Sequence, residues 1–268
     1  MKTAVEQRIL DYRQRRDALG FFDLNCWMGE PLEPAFRTFE QVGALKTGLR
    51  RFGIQRAVIS HSMGVRYDAE AGNRELVSAL RNDDSFYGAA ILVPEMAEAR
   101  SWLVLLRELI AGGVRIVRLF PSAHNFPLVG GRTGDLLEAM EQLRLPLMLW
   151  HTQTTWRDIA TVCAEHPQLS VIVEGTGRKL FYDNRTYYSL LERLPNLFVE
   201  THGLTNYVGL DDAVARFGSQ RFLFGSYFPH LDPNAAIMPI TDGAFSEQDR
   251  HNIAHANLER LLAEVRQP

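Results

Sequence analysis

The sequence predicts an α/β fold, a (β/α)8 TIM barrel in which a single domain takes up residues 1–268. Three observations predict it. Eight short apolar runs rich in β-branched and aromatic residues recur along the chain, each of strand length. Between them lie stretches of helical periodicity, the alternation that produces a parallel sheet with crossover helices. The chain has 268 residues, 46% hydrophobic and 23% charged, with no linker to divide it, and barrels of this kind reach that size as one domain.

Residues 3–19 alternate charged and apolar side chains and read as a short amphipathic helix ended by Gly20. The strand candidates then follow as Phe21–Trp27, Arg56–Ser60, Phe86–Leu92, Val114–Phe120, Leu145–Trp150, Leu169–Val173, Leu197–Thr201 and Arg221–Gly225. Helices are expected to begin near Phe36, Asp68, Ala97, Thr133, Trp156, Asn184 and Leu210, with a last one over Glu247–Val265. Gly53, the Gly112–Gly113 pair and Gly218 stand where helices should stop, and Ser246 with Asp249 resembles a helix-starting cap. An open doubly wound sheet competes, but the first strand lacks the G-x-G-x-x-G turn that such a sheet uses for dinucleotides.

Composition narrows the partners. A net charge of -3 and a pI near 6.3 supply no long-range field for nucleic acid or an anionic membrane, so a small-molecule substrate is expected, with no nucleic acid and no membrane partner. Cys26 and Cys163 are the two cysteines, too few for a disulfide framework or a thiolate metal cluster, which points to the reducing cytoplasm. Met1–Leu19 has no continuous apolar run and reads as neither a signal peptide nor a spanning helix. A homodimer contact through the apolar C-terminal helix and a long loop over Leu231–Phe245 is a candidate.

In such a barrel, functional side chains stand at the C-terminal ends of the strands. Five of the eight histidines map there: His61, His124, His151, His202 and His230. His166, His251 and His255 fall on or beside helices and read as surface or packing residues. Other polar candidates at this rim are Asp23, Asn25, Glu95, Arg118, Glu174, Glu200 and Tyr227. A side-chain period of two gives Asp23, Asn25 and Trp27 one parity, so all three should face inward together. Glu200 shares parity with His202, so the carboxylate is placed to orient that imidazole, or else to pair with a cavity arginine. Arg118 interrupts the apolar run Val114–Phe120 and needs an anionic partner, either protein or substrate carboxylate. Arg178, Lys179 and Arg185 after strand six would add positive charge, or simply be solvated. Ser60 and Ser62 lie in no G-x-S-x-G elbow, so serine-hydrolase chemistry has little support.

Four stretches carry a resemblance that spans nearly the whole chain: FDLNCWMG (Phe22–Gly29), LPLMLWHT (Leu145–Thr152), LPNLFVETHG (Leu194–Gly203) and RFLFGSYFP (Arg221–Pro229), with a closing N-x-E-R-L-L at Asn257–Leu262. They resemble the amidohydrolase superfamily, in the amidohydrolase-related decarboxylase and hydrolase branch. The resemblance implies an amidohydrolase-like barrel, and its departures matter more than its matches. The H-x-H that ends strand one in that family is Asn25 and Trp27 here, the histidine after strand six aligns with Gly175, and the strand-eight aspartate is Tyr227. His151 alone remains of the family's metal set. By strict alternation from the Gly175 position, Glu174 should face the helices.

These residues lead to an amidohydrolase-like enzyme that works without the usual divalent ion and needs no cofactor. It would cleave, by hydrolysis or by lyase or decarboxylase chemistry, a small carboxylate-bearing lactone, ester or amide. His151 is the expected acid/base, His202 its partner and Glu200 the orienting carboxylate. Tyr227 is the oxyanion donor, and Arg118, Asn25, Trp27, His61, His230 and Trp156 contact substrate. One alternative is a relocated zinc or similar ion on His151 with His202, His61 or His230 and a glutamate. Another is a non-catalytic descendant that binds a small molecule or a protein through the same mouth.

Overall fold

The computed structural model describes residues 3–32, 38–81, 83–97, 101–175, 184–204 and 209–268. Eight strands pair in sequence order, every ladder parallel: β1 (Phe22–Met28), β2 (Arg56–His61), β3 (Phe86–Ile91), β4 (Val114–Leu119), β5 (Leu147–Trp150), β6 (Val171–Glu174), β7 (Leu197–Glu200) and β8 (Phe222–Leu223). Around them stand α1 (Ala4–Ala18), α2 (Val42–Arg50), α3 (Met63–Arg66), α4 (Ala69–Leu80), α5 (Trp102–Ala111), α6 (Gly131–Gln142), α7 (Trp156–Glu165), α8 (Asn184–Arg193), α9 (Gly209–Phe217) and α10 (Asn234–Thr241). A helical run over residues 247–263, with a π turn at Asn252–Ala256, ends the fold. Eight parallel strands with helices between them make the expected barrel.

Local chemistry explains most of the boundaries. Gly20, Gly53, Gly113 and Gly218 all take positive φ, the conformation a helix-ending glycine supplies at least steric cost. Ser246 caps the last helix by accepting from the Asp249 amide. The fifth helix begins at Trp102 rather than near Ala97, because Pro94–Ala97 forms a 3-10 turn and Ser101 provides the cap. The helix start expected near Phe36 lies outside the described residues.

Alternation along the strands stacks the barrel interior in storeys. Phe22, Leu24, Val58, Ala89, Ile116, Met148, Ile172, Phe198 and Leu223 form an apolar floor, joined by Leu258, Leu261 and Leu262 of the last helix. The apolar face of that helix is therefore buried within its own chain, and the stretch 231–245, expected as a long loop, contains α10. Two residues further along the strands come Ser60, Arg118, Glu174 and Glu200, and two further again Phe120 on the fourth strand. Among the described residues, no helix is long and apolar enough to cross a membrane.

The first strand departs from simple alternation. Asp23 pairs with Ala57 and Cys26 with Ile59, so β1 spends one more residue than β2 over that interval and bulges. Leu24 and Asn25 therefore both turn inward, while Asp23 shares the outer face with Ala57. The expected common orientation of Asp23, Asn25 and Trp27 holds only for the last two.

The bulge also builds the seam between β8 and β1. The ladder of β8 stops at Leu223, short of the predicted Gly225, because the Phe224 amide turns to the Ile253 carbonyl. Closure then rests on the Leu24 and Trp27 amides, which donate to Phe224 O at 2.9 Å and Phe228 O at 2.8 Å, and on the Asp23 side chain. That carboxylate accepts from the Asn25 amide (2.9 Å), the Ser226 amide (3.0 Å) and the Ser226 hydroxyl.

Burial pushes the Asp23 carboxyl from 3.8 up to about 6, despite those hydrogen bonds. The folded chain thus keeps a proton that the unfolded chain releases near 3.8. The stabilisation is complete below 3.8 and lost as pH rises through 6, on the order of 3 kcal/mol in all. We expect Asp23→Asn to flatten this decline, measured as the difference in unfolding free energy between variant and wild type from pH 4 to pH 8.

Candidate active site

The storey above the floor is polar and sealed. Asn25, Glu174 and Glu200 are 0% exposed and Arg118 1%. Arg118 pairs with Glu174 through Nη2 and Oε1, and its Nη1 donates to Asn25 Oδ1 at 3.1 Å and Ser60 Oγ at 3.4 Å. Asn25 Nδ2 donates to Glu174 Oε2 at 2.6 Å and to Glu200 Oε2 at 3.4 Å. The Asn25 carboxamide thus joins both glutamates to the arginine. Burial lowers the Arg118 pKa to about 9, with Tyr227 and Glu200 opposing, which leaves the guanidinium charged at neutral pH.

Glu174 is the main correction among these residues. Counted from Ile172 on the floor, alternation puts Glu174 inside rather than toward the helices, and it supplies the anion that Arg118 requires. Of the two kinds of anionic partner the sequence allowed, the protein one is present. Gly225 makes room for the other glutamate, since a Cβ there would overlap the Glu200 carboxylate.

Glu200 and His202 face the same way, as their spacing predicts. His202 Nδ1 contacts Glu200 Oε2, and the His202 amide donates to Glu200 Oε1 at 2.8 Å. With Nδ1–H directed at the carboxylate, the neutral ring carries its lone pair on Nε2, the arrangement of an oriented general base. The Tyr227 ring stacks on this imidazole, centroids 5.0 Å apart and planes 16° from parallel. Tyr227 has φ +57°, a left-handed conformation that is unusual for a bulky residue.

Aromatic rings roof the polar storey. The Trp27 indole donates to Asn25 Oδ1 at 3.0 Å, and its ring lies over the Arg118 guanidinium at 4.4 Å. Phe120, Trp150, Tyr227 and His230 pack edge-on to Trp27 or tilted against it, with centroids 6.3–6.5 Å away. Several buried polar atoms around this roof lack a hydrogen-bond partner among the described residues: Trp150 Nε1, both ring nitrogens of His230, Thr201 Oγ1 and Arg118 Nε. Buried orphans of this kind are rare in folded proteins and mark where a ligand or water belongs. Burial, with Arg66 and Arg118 nearby, lowers the His230 pKa to about 4, so its ring is neutral at physiological pH.

The remaining candidates stand apart from the polar storey. His151 follows Trp150 past the strand end; its Nδ1 lies 3.3 Å from the Glu174 carbonyl, and its ring stacks at 5.8 Å on Trp156 of α7. Trp156 stacks in turn on Tyr187 of α8, so these two candidates belong to the junction of barrel and helices. His61 accepts from the Met63 amide at 3.3 Å beside Gly29, and burial lowers its pKa. His124 Nε2 meets Val65 O at 3.0 Å, and Glu95 is exposed. Arg178 and Lys179 lie outside the described residues, and Arg185 is exposed. Sequence reasoning weighs Ser60 only as a nucleophile and passes over Phe120 and Trp150. The period of two that selects Met148 and Arg118 also selects Trp150 and Phe120.

One donor atom from each of Glu174, Glu200 and His202 lies within 4.8 Å of the others, and all three residues are buried. Two carboxylates and an imidazole are donor types that suit a divalent cation. Neither His151, His61 nor His230, the expected partners of a relocated metal, joins this group. Its carboxylate oxygens are already engaged, Glu174 by Arg118 and Asn25 and Glu200 by Asn25 and His202. An incoming ion would have to displace a guanidinium, so the group as folded does not fit one.

The carboxylates, the oriented imidazole and the aromatic walls stand at the C-terminal mouth of a parallel barrel, where barrels of this kind carry their functional side chains. The chain belongs to the amidohydrolase family, whose sequence profile matches residues 26–263. Among solved structures it is similar to 2,6-dihydroxybenzoate decarboxylase complexed with 2,6-dihydroxybenzoate (17% identity, 91% of this chain and 99% of that chain, TM-score 0.72). It is also similar to 5-carboxyvanillate decarboxylase from Novosphingobium aromaticivorans, complexed with manganese and 4-hydroxy-3-methoxy-5-nitrobenzoic acid (13%, 92% and 97%, 0.73). A structure from Pseudomonas putida assigned as a 2-pyrone-4,6-dicarboxylic acid hydrolase aligns as well (19%, 92% and 98%, 0.70). No curated protein sequence matches the chain. At these identities the likeness is one of fold.

Removing one partner of a fully buried ion pair leaves an uncompensated charge, at a cost of about 3–5 kcal/mol. Glu174→Ala should lower the unfolding free energy by roughly that amount, whereas Arg185→Ala on the exposed face of α8 should change it by less than about 0.5 kcal/mol. Urea denaturation of the two variants checks the contrast.

Proposed function

We propose that this chain hydrolyses a small, flat, carboxylate-bearing compound with a reactive ester or lactone bond, by proton transfer at Glu200 and His202 and without a divalent ion. The observation that carries the reading is the buried contact between His202 Nδ1 and the Glu200 carboxylate, which fixes the tautomer a general base needs. Its Nε2 takes a proton from water as the oxygen adds to the carbonyl carbon. The resulting oxyanion draws on Tyr227, which packs against the same imidazole. The protonated imidazole then returns the proton to the leaving oxygen, with Glu200 stabilising the cation in the interval.

The roof supplies the binding. Trp27, Phe120, Trp150 and Tyr227 offer faces and edges to a planar ring, and the orphan donors of Trp150 and His230 are suited to its oxygens. Arg118 is engaged by Glu174, so it acts on the site through charge rather than as the expected carboxylate clamp. The substrates in the names of the structural relatives, carboxylated aromatics and a pyrone dicarboxylate, have this flat anionic character. Both cysteines are free and buried, in keeping with a cytoplasmic enzyme that keeps its thiols reduced.

Screening pyrone and aromatic lactone carboxylates by ring-opening should find turnover that resists EDTA. His202→Ala and Glu200→Gln should lower kcat about 10²- to 10⁴-fold, and Tyr227→Phe should lower kcat with little change in KM. Carbon dioxide release without ring-opening would place the enzyme with the decarboxylases instead. Equal turnover by wild type and His202→Ala would end the proposal.

A further inference from the structure

We propose that the Arg118 guanidinium is a resident cation that holds shut a latent metal site made of Glu174, Glu200 and His202. The ligand it excludes is a divalent ion of the manganese or zinc type. The three donor residues already converge within 4.8 Å and are fully buried, a gathering of negative charge that low-polarity surroundings do not tolerate without a counter-charge. Arg118 supplies that charge from the fourth strand, reaching through the barrel interior into contact with Glu174 and attracted by Glu200.

Three further contacts fix the guanidinium in place. Asn25 and Ser60 accept from one terminal nitrogen, and the Trp27 ring lies across the guanidinium face at 4.4 Å. Asn25 bonds both carboxylates through Nδ2 and the arginine through Oδ1, so it ties anions and cation into one network. A divalent ion and the guanidinium therefore compete for the same carboxylate oxygens. In the wild-type chain the tethered group holds the advantage, because it is present at fixed position and cannot diffuse away.

Taking away the guanidinium should turn a site that ignores cations into one that needs them. Arg118→Ala leaves two buried carboxylates and an imidazole with no counter-charge, and a manganese or zinc ion can then neutralise them. The experiment is thermal unfolding and elemental analysis of the full chain, wild type and Arg118→Ala, with EDTA, MnCl2 or ZnCl2. Wild type should purify without stoichiometric metal and show no shift with either salt. Arg118→Ala should melt lower in EDTA and regain about 5 °C or more once the cation stands at about a hundred times its Kd. Adding Glu174→Gln should abolish that gain.

Arg118→Gln, which discards the charge but retains donors for Asn25 and Ser60, decides the same question if the alanine variant does not accumulate. Its soluble yield should rise when cells are supplied with manganese. Stoichiometric metal in wild type, or an equal cation shift with and without Arg118, overturns the proposal. So does a folded Arg118 variant indifferent to both ions. The inference shares with the proposed function only the metal-free resting site. A wild type that binds no ion and hydrolyses none of the screened compounds fails that function and leaves this one standing.

Discussion

Two glutamates share one storey of a sealed barrel interior, and the rest of the mouth is arranged around keeping them there. Buried carboxylates either take up protons or acquire positive partners. This chain provides partners: a guanidinium for Glu174 and an imidazole for Glu200, with the Asn25 carboxamide bonded to both acids. Because those bonds are directional, they tie together residues of four strands, β1, β4, β6 and β7, and so bear on register across the barrel. Such a network costs more to break than it contributes in place, since each lost partner leaves a charge without solvent.

The same network divides the candidate site into two kinds of residue. Arg118, Glu174 and Asn25 answer one another and set the local potential. His202, held against Glu200, and the aromatic roof lie next to that network on the side of the strand ends. Ring packing above the guanidinium lowers the local polarity, which strengthens each electrostatic contact beneath it.

The architecture was legible in the sequence because it is written in periodicity, which survives large changes in residue identity. Strand starts and most helix stops were readable from apolar runs and glycines; Trp102 and Leu223 deviate where a serine cap and the Ile253 carbonyl compete for the backbone. The site was read less completely. Glu200 and His202 were paired by parity alone, and that pairing is present. Counted from the family histidine position at Gly175, Glu174 faces the helices; counted from Ile172 of its own strand, it faces the interior, where it meets Arg118. Asp23 was grouped with Asn25 because a bulge is a register event between two strands, invisible in either one. His151 drew attention by position, yet its stacking partner Trp156 comes from a helix that no strand pattern would bring beside it.

The eighth strand is a ladder of only two residues, and the chain beyond it reaches β1 through a carboxylate and two amides rather than continuous pairing. One stave of the wall is in effect lashed to its neighbour instead of glued. Residues 224–230, which bear Tyr227 and His230, hold that seam through Phe224, Ser226 and Phe228, so their length is fixed by the lashing even where no ladder runs. For diversification in the laboratory, the side chains between these knots are the ones to recut, and the knots themselves are what keep the cask whole.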